Sequence, residues 1–241
     1  MIRFLRNIRL SLMSDHKLRK YLFYAIGEVA LVMIGILLAL QVNNWNEVRK
    51  EKKKEQVLLK KLASDLEDDI ISLEEIIKDD SLLFKSLSDM STRVLSANTV
   101  EEAQIRDNAL FRFNHFYANK TTLENIVSSG QIDIIKNDTL MDNLLNYYRQ
   151  VKINNNGLDE SIKNYSRDIE NYLTRFDHLK DHPLLKKKSI EDYRADPFFL
   201  NSLFFKNGLL KYQMTNYKGL KERAQEILND IYLEMNEKST H

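Results

Sequence analysis

Apolar residues follow two different patterns along this chain. From Tyr21 to Val42 they run almost unbroken, YLFYAIGEVALVMIGILLALQV, with Glu28 the one ionisable group. As a helix this run rises roughly 33 Å, enough to cross a hydrocarbon core. Beyond Val42 the apolar residues recur at helical intervals among charges, and no second run is long enough to span.

From Leu59 the spacing is heptad: Leu59, Leu62, Leu66, Leu73, Ile76, Leu83, Leu87, Met90 and Val94, with Asp69 and Asp80 at two seam positions. Wound at 3.6 residues per turn, the same helix would turn Ile70 and Ile77 inward and Asp69 outward, sparing the acid. Both readings give one long helix. Ser96-Ala97-Asn98-Thr99 breaks it, and Thr99 with Glu102 offers a capping box for a short helix ending near Phe113. Phe111, Phe113, Phe116 and Tyr117 around His115 read as core at a helix junction, in preference to a ligand pocket. Thr121 or Thr122 caps a further short helix that stops at Gly130, a residue suited to a left-handed C′ position.

Asn137 or Asp138 opens the longest helix. Leu144, Val151, Leu158, Tyr165, Tyr172 and Leu179 recur every seven residues, accompanied by Tyr148, Ile162, Ile169 and Phe176. The phase survives Asn154-Asn155-Asn156-Gly157, so the helix is expected to continue, with Asn155 facing the seam where a buried amide fixes register. It should end before Asp181-His182-Pro183. Asp196-Pro197 is an N-cap with proline at the first helical position, opening a last helix to near Glu237 in which Gly208 and Gly219 are weak points. The apolar run from Pro197 to Phe205 is too short to span and is expected in the core.

The pattern predicts an all-α protein: an N-terminal single transmembrane helix followed by an elongated antiparallel helical bundle with coiled-coil-like packing. Its parts are a basic tail over 1–20, an anchor over 21–42, a charged helical stalk over 43–58 and the bundle over 59–241. Six Gly, two Pro and 29% charged residues agree with long exposed helices. A net charge of +1 supplies no field that would hold nucleic acid, and with no cysteine there is neither a disulfide nor a thiolate.

In the tail, Phe4, Leu5, Ile8 and Leu12 fall opposite Arg3, Arg6 and Arg9, the pattern of an interfacial helix; a disordered basic tail is the alternative. The apolar run exceeds a signal-peptide core and lacks an Ala-x-Ala site, so it is expected to be retained. Arg49, Lys50, Lys52, Lys53, Lys54, Lys60 and Lys61 follow it, but only Lys17, Arg19 and Lys20 abut it. This favours a cytoplasmic N-terminus and a bundle outside. Within the span, Glu28, Gly35 and Ala39 share a stripe along which a second helix can approach closely enough to meet a carboxyl; a lone protonated Glu28 that snorkels and a proton or ion path are the alternatives. Trp45 among asparagines has the composition of an interfacial anchor.

The basic tail, YAIGE, GILLALQVNNWNE running into a Lys/Glu-rich helix, and TTLENIVSSGQIDIIKNDTLMDNLLNYY together resemble an uncharacterised family of bacterial single-span membrane proteins known as a domain of unknown function. The resemblance implies a bacterial membrane protein, and brings no catalytic residues with it.

Chemistry-bearing patterns are sparse. There is no Gly-rich phosphate loop, no HExxH and no serine elbow. His178 and His182 have the i,i+4 spacing of a metal pair beside Asp177 and Asp181, but they sit where the helix must stop, so no metal site and no cofactor are expected. The expectation is therefore a non-enzymatic, membrane-anchored interaction or scaffold protein. Its partners would be the lipid bilayer and either a second copy of itself or another membrane protein. A sensory bundle that binds a small molecule and signals through the anchor is the alternative.

Overall fold

The computed structural model describes residues 17–105, 108–173 and 188–239. The expected interfacial tail, the helix end expected before Asp181-His182-Pro183 and the His178/His182 pair lie outside the described residues. The longest helix is not the one that opens at Asp138, as its periodicity suggested, but the 80-residue helix over Lys17–Ser96, in which span, stalk and first bundle helix run on without a break. The described elements are α1 (Lys17–Ser96), α2 (Val100–Ala103), α3 (Asn108–Phe111), α4 (Thr121–Ser128), α5 (Asp138–Leu173), α6 (Ile190–Arg194) and α7 (Pro197–Ser239), with one 3-10 turn at Ile132–Ile134. The class is all-α, without strands among the described residues.

The chain divides into two compact units, Met1–Glu55 and Gln56–His241. In the first, α1 presents Leu31, Ile34, Leu37 and Leu40 more than half exposed. Such a surface is unstable in water and stable in hydrocarbon. Among the described residues this is the one helix long and apolar enough to cross a membrane.

The second unit is built around a core in two sections. Leu59, Leu66 and Leu73 of α1 pack with Leu140, Leu144 and Leu158 of α5 and with Leu220, Ala224 and Ile231 of α7. Further along, Leu83, Leu87 and Val94 pack with Tyr165 and Ile169 and with Leu203 and Leu210. Residue numbers rise together in α1 and α5 and fall in α7. Between α1 and α5 the segment from Arg112 to Thr122 returns along α1: Asn114 meets Asp80, Asn119 meets Asp69 and Thr122 meets Asp65. The order is up-down-up-down, as in a four-helix bundle, but the second member is largely an extended strap in place of a helix.

Several local expectations change. Asp69 and Asp80 are both buried, while Ile70 and Ile77 are only half-buried, because the strap needs acceptors where a fourth helix would need none. α4 begins at Thr121, and its cap comes from outside the sequence motif: Asp65 accepts the Thr122 N–H at 2.9 Å. Thr99 does cap α2, but Glu102 reaches one residue further back, to the Asn98 N–H at 2.8 Å. Gly130 takes the left-handed conformation, with φ +66°, that closes α4. Of the aromatic group near His115, Phe116 is fully buried, whereas Phe111 and Tyr117 face outward. Phe199 and Leu203 enter the core, but Phe204 and Phe205 do not, since one helix face can point inward at a time. α5 runs unbroken through Asn154 to Gly157, and α7 through both of its glycines.

Candidate functional site

A strap without helical hydrogen bonds must find partners for its buried main chain elsewhere. Three helices provide them. From α1, Asp69 Oδ1 accepts the Asn119 N–H at 2.7 Å and Asp65 takes that of Thr122. From α5, Asn155 Nδ2 donates to the Phe116 carbonyl and the Tyr148 hydroxyl to that of Asn119, both at 2.9 Å. From α7, Lys206 Nζ donates to the Arg112 carbonyl at 2.5 Å, Gln213 Nε2 donates to that of Asn114, and the Tyr217 oxygen accepts the Phe116 N–H at 3.2 Å.

These side chains recur at helical spacing. Asp65, Asp69 and Asp80 line one face of α1, and Lys206, Gln213 and Tyr217 line one face of α7. Each helix therefore turns a polar stripe toward the strap beside the apolar stripe it turns toward the core. Side-chain contacts complete the clamp: Asn114 Nδ2 to Asp80 Oδ1 at 2.7 Å, the Tyr147 hydroxyl to Asp69 Oδ2 at 3.0 Å, and His115 to Asp159 at 2.9 Å.

The clamp holds the most perturbed charges in the described bundle. Burial lifts the Asp69 carboxyl to about 6; the Asn119 N–H and Tyr147 hydroxyl oppose the shift, and Asp65 and Asp68 reinforce it. Burial also pushes Asp80 up, against the pull of Asn114 and Lys206. Its second oxygen and Gln213 Oε1 are buried without a hydrogen-bond partner among the described residues. Burial brings the Lys206 amine down to about 7, opposed by Asp80. Such shifts often mark catalytic sites. Here Asp69 and Lys206 are sealed from solvent and hold backbone groups, which accounts for their burial without any substrate.

The residues singled out from the sequence fall at three places. Glu28, Gly35 and Ala39 lie exposed along α1 in the first unit, and nothing stands within 4 Å of a Cβ built on Gly35. Trp45 is also exposed on α1, near a one-turn bond from Asn43 to Glu47 at 3.2 Å. Asn155 belongs to the strap clamp in the second unit, with its Oδ1 buried and without a hydrogen-bond partner among the described residues. Sequence reasoning did not find Lys206, Asp65 or Tyr217. The available signal was a polar residue at a core phase of each helix.

The fold and surface define a helical protein with one candidate membrane helix and a bundle closed around a strap. The chain belongs to a family of unknown function, DUF6090, whose model matches residues 28–204. No curated protein and no solved structure matches it.

Proposed function

We propose that this is a membrane-anchored interaction protein without catalysis of its own, which associates with a second copy or another membrane protein along the Glu28, Gly35 and Ala39 face. The observation that carries the reading is Glu28 itself, an exposed carboxyl within the otherwise apolar run of α1 from Tyr21 to Val42. In hydrocarbon such a group costs several kcal/mol unless it is protonated, paired or able to snorkel, and the open space over Gly35 leaves room for a helix that supplies the pair. The anchor sits in a bacterial inner membrane with Lys17, Arg19 and Lys20 on the cytoplasmic side and the bundle in the periplasm.

Crosslinking of the full chain in native membranes tests it. Glu28→Leu with Gly35→Leu should abolish the crosslinked species while insertion is kept, a loss of roughly 1 to 2 kcal/mol from the polar contact alone. Equal crosslinking of wild type and double mutant would rule the interface out.

One observation favours a second reading, a sensory bundle for a small polar molecule. Between α5 and α7 lies a groove of about 770 Å³ lined by Arg149, Arg223, Glu222 and Glu226. A ligand for that groove would raise the Tm of the protein in a thermal-shift screen.

A further inference from the structure

At the joint of α5, α6 and α7, a buried ammonium sits in an aromatic box. Lys188 Nζ lies 4.5 Å from the centre of the Tyr172 ring, 4.6 Å from Tyr193 and 5.9 Å from Phe199. It bonds Asp196 Oδ2 at 2.5 Å and also the Tyr172 hydroxyl. The Lys188 side chain is 4% exposed and that of Asp196 17%. Two rings, Tyr193 and Phe199, together with a hydroxyl and a carboxylate around one cation are a recognition set for alkylammonium groups.

The walls do not depend on the lysine for their position. Tyr193 packs edge-on against Phe199 at 4.7 Å, and Tyr172 stacks on Phe198 at 4.6 Å. Asp196 is fixed by its other oxygen, which accepts the Phe198 and Phe199 N–H groups at 3.0 and 3.3 Å and caps α7. Each of the four walls therefore has a holder independent of Lys188. Ser189 and Asp192 form a capping box that fixes α6, the element carrying Tyr193. Lys188 is only half-buried as a residue although its side chain is enclosed, so the path of its stem leads from the surface to the box.

We propose that Tyr172, Tyr193, Phe199 and Asp196 form a binding site for primary alkylammonium ions, which Lys188 fills as a tethered ligand. A primary ammonium fits the set better than a quaternary one. The Tyr172 hydroxyl donates to Asp196 Oδ2 at 2.5 Å, and both oxygens of that pair also accept an N–H from the ammonium, which a quaternary ion cannot offer, while the rings take the charge and the alkyl stem.

The test is chemical rescue in the full-length protein in detergent. Lys188→Ala should lower the Tm, and n-propylammonium, the three carbons and head missing beyond Cβ, should restore it by several degrees in a saturable way. Neither n-propanol nor tetramethylammonium should do so, and wild type should not respond. In Lys188→Ala with Asp196→Asn, which keeps an oxygen to cap α7, the rescue should disappear. Equal effects of propylammonium and propanol, equal responses of wild type and Lys188→Ala, or rescue that survives Asp196→Asn would each overturn the proposal. Should Lys188→Ala fail to fold, acetylation of the wild type read by mass spectrometry decides: Lys188 should react at least about tenfold more slowly than exposed Lys211, in line with a desolvated cation–π contact. Reaction at the same rate would show the box to be unoccupied and the proposal wrong.

Discussion

Asp69 reverses the usual effect of a carboxylate on pH stability. A paired surface acid binds its proton less tightly when folded and so stabilises the fold above its unfolded pKa. Asp69 has a folded value of about 6 against 3.8, so the folded state binds the proton more tightly. Its ionisation therefore costs stability above pH 6, and the cost disappears as pH falls toward 3.8. Lys206 acts in the opposite direction: with a folded value of about 7 against 10.5, its charge costs stability below pH 7, a cost relieved as pH rises toward 10.5. Asp69→Asn keeps an oxygen for the Asn119 N–H and removes the charge. It should be at least as stable as wild type at pH 8 and lose that advantage by pH 4. The change in their difference should be on the order of 2 to 3 kcal/mol. Denaturant unfolding at both pH values measures it; a mutant less stable at pH 8 than at pH 4, relative to wild type, would show that the carboxylate is net favourable as an ion.

At the scale of elements, the strap is the departure from what periodicity announces. The amides of Phe116 and Asn119 lie outside every helix but are held by Tyr217 and Asp69. They should exchange with deuterium as slowly as core helical amides. Tyr217→Phe should speed exchange at Phe116 and destabilise the bundle by about 1 to 2 kcal/mol, the cost of a buried N–H left without its acceptor. Rapid exchange in wild type would mean that the strap is not docked. The long helices were legible because their apolar residues repeat, and the continuity of α5 through Asn154 to Gly157 followed from phase alone. The strap was not legible, since Phe113, Asn114, His115 and Phe116 carry no alternation that separates an extended run from a helix junction. Nor did Asp69 at a seam position reveal its partner, which lies 50 residues away along the chain. α6 was missed although Ser189 and Asp192 have capping-box spacing, because its apolar run is too short to show a period.

For the whole molecule, the proposed orientation makes one experiment informative because the chain has no cysteine. Ser161→Cys lies on a half-exposed position of α5. In intact spheroplasts an impermeant maleimide should label it, and the labelled chain should stay with membranes through carbonate washing and leave only with detergent. Labelling that requires lysis would place the bundle in the cytoplasm, and release by carbonate would mean that α1 does not anchor the chain.

The strap also has a consequence for how this family tolerates change. Of the contacts that seat it, those from Asp69, Asn155, Tyr148, Lys206 and Tyr217 reach main-chain atoms, so its path is dictated mostly by residues that are not its own. Outward side chains such as Tyr117 are free to drift, whereas proline at Phe116 or Asn119 would delete an N–H that a distant helix is shaped to receive. Divergence should therefore accumulate in the strap's letters while the polar stripes of its three neighbours stay fixed.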